Sequence, residues 1–257
     1  MKNLLLKSIA LLKNVIFLIR PNLFLGFLRS PSLFFSNVLS LTKWISEQSK
    51  DGIFNDYFTF KRDYLKRYKL YENIVAKNNL STEAIDYIEF GVSDGSSFKW
   101  WVNSNSNPNS KFYGFDTFEG LPEDWGFTYD KGEMSAPIPK INDLRAEFVK
   151  GLFQETVPDF ITNHKLKSEK KKIIHCDADL FSSTLYALSM ISPFIQVGDI
   201  ILFDEFNVPN HEFLAYKIFT RTFYIKTKLI GAVNNYYQVA MVVTEVPKNS
   251  LNLFTLS

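Results

Sequence analysis

The sequence predicts an α/β fold: a doubly wound, mostly parallel sheet with crossover helices, an antiparallel strand at its end and a helical N-terminal extension. Three observations carry this. Between residues 85 and 206, five short runs rich in β-branched and aromatic residues alternate with stretches of helical spacing, the signature of parallel strands joined by crossovers. Four of those runs end on acidic side chains. Two more runs near the C-terminus are separated only by "NN", which reads as a hairpin.

In chain order, the first forty-odd residues stand apart. Up to Trp44 they carry Lys2, Lys7, Lys13, Arg20, Arg29 and Lys43 and no acidic residue, between apolar pieces such as "NVIFLI" and "LFLGFL". Those pieces fall short of the ~20 apolar residues a bilayer span requires, and no small-residue cleavage site follows "MKNLLLKSIA". Two readings stand: a basic amphipathic segment making peripheral contact with an anionic membrane or a partner, or helices that pack on the body or form a homo-oligomer face. Residues 1–80 are grouped as the extension and 81–257 as the main domain.

"DYIEFG", "KFYGFD", "AEFVKG", "KKIIHCD" and "GDIILFDEF" are the five strands. The intervening helices are "SSFKWWVNS", "FQETVPDFITNH", "SSTLYALSMISPF" and "HEFLAYKIFTR"; "KTKLIGAV" and "YYQVAMVVT" form the hairpin. A chain of 257 residues with 46% hydrophobic side chains suits one sizeable domain with an extension. A net charge of +2 from 29 basic and 27 acidic residues does not describe a protein held by many phosphate contacts, so nucleic acid is excluded as the main partner. The single cysteine, Cys176, leaves no intramolecular disulfide, and no Cys/His set has zinc spacing. A reducing compartment, the cytoplasm, is the expected location.

Ligands of such sheets sit outside the carboxyl ends of the strands, which directs attention to the strand ends. "EFGVSDGSS" places Glu89 and Gly91 at the end of the first strand and Gly95 and Ser96 at a helix start, where tight turns and free amides favour close approach of a ligand. It lacks the G-x-G-x-x-G of a dinucleotide site, and a glycine turn between strand and helix is commonplace by itself. Asp116 ends the second strand at a distance that suits the acid expected about 20 residues on to bind ribose hydroxyls; helix capping is its plainer use. The aperiodic stretch "EGLPEDWGFTYDKGEMSAPIPK" reads as a long functional loop or lid. Asp177 and Asp179 follow the fourth strand and Asp204 and Glu205 the fifth. Paired carboxylates repel unless a cation, hydrogen bonds or water take up the charge.

Together, "EFGVSDGSSFKWW", "FYGFDTFEGLPEDW", "FVKGLFQETVPDF", "IIHCDADLFSSTLYAL" and "GDIILFDEF" resemble the macrocin O-methyltransferase (TylF-type) family of class I S-adenosylmethionine-dependent methyltransferases. The resemblance runs from about Ile85 to Thr244. It implies a seven-stranded Rossmann-like sheet and a cofactor, S-adenosyl-L-methionine, with Glu89, Gly91, Gly95 and Ser96 at its methionine end and Asp116 at its ribose. Phe153 and Gln154 are the candidates for the adenine, although Phe153 also reads as a core residue. It further implies a Mg²⁺ ion on Asp177, Asp204 and Glu205, carboxylate ligands that suit this ion, with Asp179 nearby and facing substrate. Asp-Asp is the commoner pair at the place of Asp204 and Glu205.

The implied reaction is methyl transfer to a hydroxyl of a small acceptor, a sugar or glycosylated molecule. It requires alignment of the acceptor and a base within reach. His211 is the best-placed histidine, ahead of His175 and His164, with a surface histidine as its plainer reading. The lysine that catechol-type enzymes carry after the first metal-binding acid has no counterpart, since Leu180 and Phe181 stand there. Two alternatives are a non-methylating nucleotide-binding protein, disfavoured by the missing glycine fingerprint, and a membrane-surface protein with an inherited fold. Cys176, on a strand, reads as a buried structural thiol.

Overall fold

The computed structural model describes residues 2–126, 129–164, 166 and 170–247. The chain divides into two compact units, Met1–Ile45 and Ser46–Ser257. The first holds α1 (Lys2–Ile19), α2 (Asn22–Leu25), a 3-10 turn (Gly26–Leu28) and most of α3 (Arg29–Glu47). No residue of α1 or α2 is buried.

The second unit contains an eight-stranded sheet of order β1-β7-β8-β6-β5-β2-β3-β4. Its strands are β1 (Phe54–Asn55), β2 (Ile85–Phe90), β3 (Lys111–Asp116), β4 (Ala146–Lys150), β5 (Lys171–Cys176), β6 (Ile200–Phe203), β7 (Lys226–Val233) and β8 (Gln238–Glu245). The helices are α4 (Lys66–Lys77), α5 (Ser96–Ser104), α6 (Phe153–His164), α7 (Phe181–Ile191) and α8 (Glu212–Thr222). Strands β2 to β6 and four crossover helices occur where the residue pattern puts them. β2 is buried at every position and β5 at all but its first, as expected of central parallel strands covered on both faces.

Two features differ from the expectation. The eighth strand is β1, two residues long, which pairs in parallel with β7 through Phe54 opposite Gly231 and Asn55 opposite Ala232. The antiparallel strand, β8, does not lie at the edge: it inserts between β6 and β7 and runs against both. Residues 46–80, grouped by sequence with the N-terminal helices, lie in the larger unit. β1 extends its sheet, and α4 buries Leu70, Tyr71 and Ile74 in the main core.

The high aromatic content is spent on that core. Tyr87 stacks on Trp101 with centroids 5.2 Å apart, and Phe98 and Phe112 surround the pair. Phe90 stacks on Phe115 at 5.1 Å, while Phe160 meets Phe115 edge-on. Such pairs add about 0.5–1.5 kcal/mol each beyond their area burial.

The hairpin turn is four residues long rather than two, because Asn234, Asn235 and Tyr236 all adopt left-handed φ of 56°, 58° and 63°; asparagine tolerates this conformation well. Both asparagines then clamp the segment leading to α4. Asn234 Oδ1 accepts from the Asp63 amide and its Nδ2 donates to the Asp63 carbonyl, each at 2.9 Å. Asn235 does the same at Thr59, at 2.9 and 2.7 Å.

Candidate functional site

Strand order reverses between β2 and β5: from β2 the chain moves outward through β3 and β4, then crosses back to β5 on the other side. At the carboxyl ends of these strands lies a cavity of about 580 Å³, where ligands of doubly wound sheets bind. Gly91 forms its floor. With φ of +91°, its Cα faces the β5 end so closely that an added Cβ would lie 1.9 Å from the Asp177 carbonyl oxygen.

On the β2–β4 side the cavity is lined by Gly91, Asp116, Leu152, Phe153 and Gln154, and the loop after β3 adds Leu121, Met134 and Ala136. Phe153 lines the cavity and, as a core residue would, packs edge-on against Phe90 at 5.3 Å. Asp116 holds the turn together: Oδ2 accepts from the Val92 and Ser93 amides at 2.7 and 2.8 Å, and Oδ1 from the Phe118 amide at 2.7 Å. Gly95 and Ser96 do not line the cavity. Gly95 caps α5 in a left-handed conformation, and Ser96 hydrogen-bonds Asp94.

The β5–β6 side is acidic. Asp177 leaves β5 directly, and the left-handed φ of 58° at Asp179 turns the chain into α7. Asp177, Asp179, Asp204 and Glu205 all line the cavity, faced by the guanidinium of Arg67 from α4, 3.5 Å from Asp204 Oδ2. Burial, then Asp204, Asp179 and Glu89, push the Asp177 carboxyl well above its ordinary range. Burial opposes the charge on Arg67, but Asp204, Tyr71, Tyr68 and Asp177 together outweigh it and keep the guanidinium protonated. Oxygens of Asp204, Glu89 and Glu212 remain buried without a hydrogen-bond partner among the described residues.

Asp177, Asp204 and His175 each offer a ligand atom, all within 4.8 Å of one another. Glu205, expected as the third metal ligand, is not in this group. Tyr237 donates to its Oε1, and its other side meets Asp179, with which it shares a proton. Burial foremost, with Asp179 next, lifts Glu205 to about 9, and burial lifts Asp179 to about 6. The pair therefore holds one proton around neutral pH, with Asp179 the ionised member. A cation fits the carboxylates of this group, because Asp204 Oδ1 is buried without a hydrogen-bond partner, whereas both nitrogens of His175 are already hydrogen-bonded.

A buried chain of hydrogen bonds runs behind the cavity. Tyr87 bonds Glu89 Oε2 at 2.5 Å and His175 Nδ1 at 2.8 Å; His175 Nε2 lies 3.3 Å from Tyr71, which donates to Asp204. Burial lowers His175 to about 3, so the ring is neutral and carries a single N–H. Burial raises Glu89 to about 8, against the hydroxyl that Tyr87 donates to it. Glu89 is thus the end of this chain rather than part of the cavity lining. His175 orients the tyrosines, and both its nitrogens are engaged.

His211 stands outside the cavity. Burial lowers its pKa, a ring N–H donates to the Asp179 carbonyl, and the ring meets Trp125 at 6.3 Å. The His164 side chain lies outside the described residues. Arg67 and Tyr64, which also lines the cavity, escaped sequence reasoning because they lie in a charged stretch where five of nine residues from 61 to 69 are basic. Cys176 is buried, as expected.

Residues 88–206 match the family model of a methyltransferase domain. The fold is that of a class I methyltransferase. CalS11, a calicheamicin methyltransferase, is similar over 80% of this chain and 91% of its own, with 19% identity and a TM-score of 0.55. The O-methyltransferase NovP is similar over 71% of this chain and 79% of its own, with 16% identity and a TM-score of 0.52. A second CalS11 structure, described as a TDP-rhamnose 3'-O-methyltransferase, covers 80% and 93% at 19% identity and a TM-score of 0.50. No curated protein sequence matches the chain. In this class I methyltransferase fold, the matched segment begins in β2 and ends just past β6, so it contains both sides of the cavity.

The Asp179–Glu205 pair gives a direct test. Glu205 has a folded pKa above its ordinary 4.5; its contribution to stability is full below 4.5 and is lost as the pH rises towards 9. Glu205→Gln keeps the shape and the partner of Tyr237 without the charge. Its Tm is expected to exceed the parent's by about 2 to 8 °C at pH 8 and to match it at pH 4.5. A Tm gain equal at both pH values would show that the pair does not share a proton.

Proposed function

We propose that this chain is an S-adenosyl-L-methionine-dependent O-methyltransferase of the TylF type, acting with Mg²⁺ on a hydroxyl of a sugar or glycosylated small molecule. The observation that supports it most is the division of one cavity into two halves: Gly91, Asp116 and Phe153 on one side, a carboxylate cluster on the other. The first half suits a nucleoside; the second suits a sulfonium cation and an acceptor that must lose a proton. The likeness to CalS11, a TDP-rhamnose 3'-O-methyltransferase, and to the O-methyltransferase NovP favours a small hydroxylated acceptor.

Methyl transfer from a sulfonium breaks one C–S bond and forms one C–O bond in line, and the acceptor proton must leave. Asp179 is the group we assign to receive it, because it lines the cavity and is ionised above pH 6 beside a protonated Glu205. Arg67 favours the ionised form of Asp204 against its burial, and the chain through Tyr71, His175 and Tyr87 fixes Asp204 in place. Asp177 and Asp204 would hold Mg²⁺. Bound there, the ion would lower the pKa of an acceptor hydroxyl and help orient it. Gln154 and Phe153 are assigned to the adenine end.

Calorimetric titration of S-adenosylmethionine and its demethylated product, with and without Mg²⁺ and with NAD for comparison, tests the reading. Micromolar binding of the sulfonium pair alone is expected. Asp177→Ala should abolish Mg²⁺-dependent turnover and leave cofactor affinity within a few-fold. Failure of the folded protein to bind either compound would sink the assignment, and equal loss of cofactor binding in Asp177→Ala would remove Asp177 from the metal.

A further inference from the structure

The unit Met1–Ile45 has no part in the chemistry above, yet it is the most apolar surface of the chain. Leu4, Leu5, Leu12, Val15, Ile16 and Ile19 are all exposed. At 100° per residue they fall on one half of α1, while Lys2, Lys7, Lys13 and the two asparagines fall on the other, together with Leu6 and Phe17. After the break at Arg20 and Pro21, exposed apolar residues continue through Phe24, Phe27 and Phe35. No acidic residue occurs before Glu47, against six basic ones. Exposed apolar area on this scale marks an interaction surface.

We infer that α1 and the start of α3 lie in the surface of an anionic lipid bilayer, the apolar half of α1 among the acyl chains and its lysines at the headgroups. Charge selects this occupant: a second copy on the apolar half would leave the six basic residues without counter-charge, whereas an anionic membrane supplies acyl chains and negative charge together. Geometry selects the surface over a crossing. No single helix among the described residues is long and apolar enough to span, and Lys2–Ile19 and Asn22–Glu47 pass only as a pair bent by 58°. A bend of this size suits two helices lying along an interface.

The test is co-sedimentation of the full chain with phosphatidylglycerol–phosphatidylcholine vesicles and with phosphatidylcholine alone, at low and high salt. Binding to the anionic vesicles, at least tenfold weaker on neutral ones and released by salt, is expected. Replacing Lys2, Lys7 and Lys13 together with Gln should weaken it about 100-fold, at about fivefold per charge. Leu12→Glu with Ile16→Glu should abolish it, while the binding of S-adenosylmethionine, measured in parallel, stays at the parent's value. The inference is overturned if the folded chain ignores anionic vesicles, if the lysine replacement changes nothing, or if binding survives an alkaline carbonate wash, which would indicate a span. Self-association lost in Leu12→Glu without vesicle binding would give the face to a second copy. Because vesicle and cofactor binding are read separately, either assignment can fail alone.

Discussion

Replacing Arg67 with methionine is expected to cost about 3–5 kcal/mol of stability at pH 8 and far less at pH 4.5. Arg67 is the cation that faces the cluster of Asp177, Asp179, Asp204 and Glu205 in the cavity wall, and methionine keeps most of its packing volume. The dependence on pH follows from protonation. Asp177 and Asp204 already have folded pKa values above the ordinary carboxylate range, through burial first and, for Asp177, neighbouring acids next. Without the guanidinium those values rise further, so the variant pays for each ionisation only where the unfolded chain is ionised, above about pH 4. Urea unfolding of parent and variant at the two pH values measures the difference. An equal loss at both would mean that Arg67 acts through packing alone. Added Mg²⁺ should restore part of the loss at pH 8 if the cluster accepts a cation.

Gly91→Ala is expected to remove cofactor binding, by at least 100-fold, through a shift of the strand ends rather than through loss of a contact. Its Cβ would lie 1.9 Å from the Asp177 carbonyl, a backbone atom that cannot move without moving the β5 end. Part of any such loss comes from forcing alanine to positive φ, worth about 1–2 kcal/mol. Gly198→Ala isolates that part, since Gly198 has φ of +95° and nothing within 4 Å of an added Cβ. Calorimetric titration of S-adenosylmethionine into both variants separates the effects: Gly198→Ala should lose stability and keep affinity, and Gly91→Ala should lose both. If the two behave alike, the close approach at Gly91 is not what shapes the cavity.

Much of this fold could be read from residues. α5 and α6 begin and end where the sequence placed them, and β2 to β6 were visible because each is a short run rich in β-branched and aromatic residues followed by turn chemistry. β1 was not visible: two residues have no periodicity, and Phe54 and Asn55 become a strand only when β7 is beside them. The acids of the site were legible because charges are conspicuous at the ends of apolar runs. Their partners were not. Tyr87 and Tyr71 reach His175 across 88 and 104 residues of sequence, and Glu205 turns to Tyr237 instead of the metal group through a contact 32 residues away. Spacing along a chain carries no trace of such meetings, which depend on register across the sheet.

The asparagine clamps at the β7–β8 turn have a consequence for the order in which the molecule can be made. Tyr64 and Arg67 leave the ribosome early, but the segment that carries them is tied to Asn234 and Asn235, and Tyr237 beside them positions Glu205. A nascent chain can build β2 to β6 as they emerge, yet its cavity lacks a wall until the last strands follow. The wall formed by Tyr64 and Arg67 is therefore fixed only once β7 and β8 have been made, after the strands that carry the acids of the site.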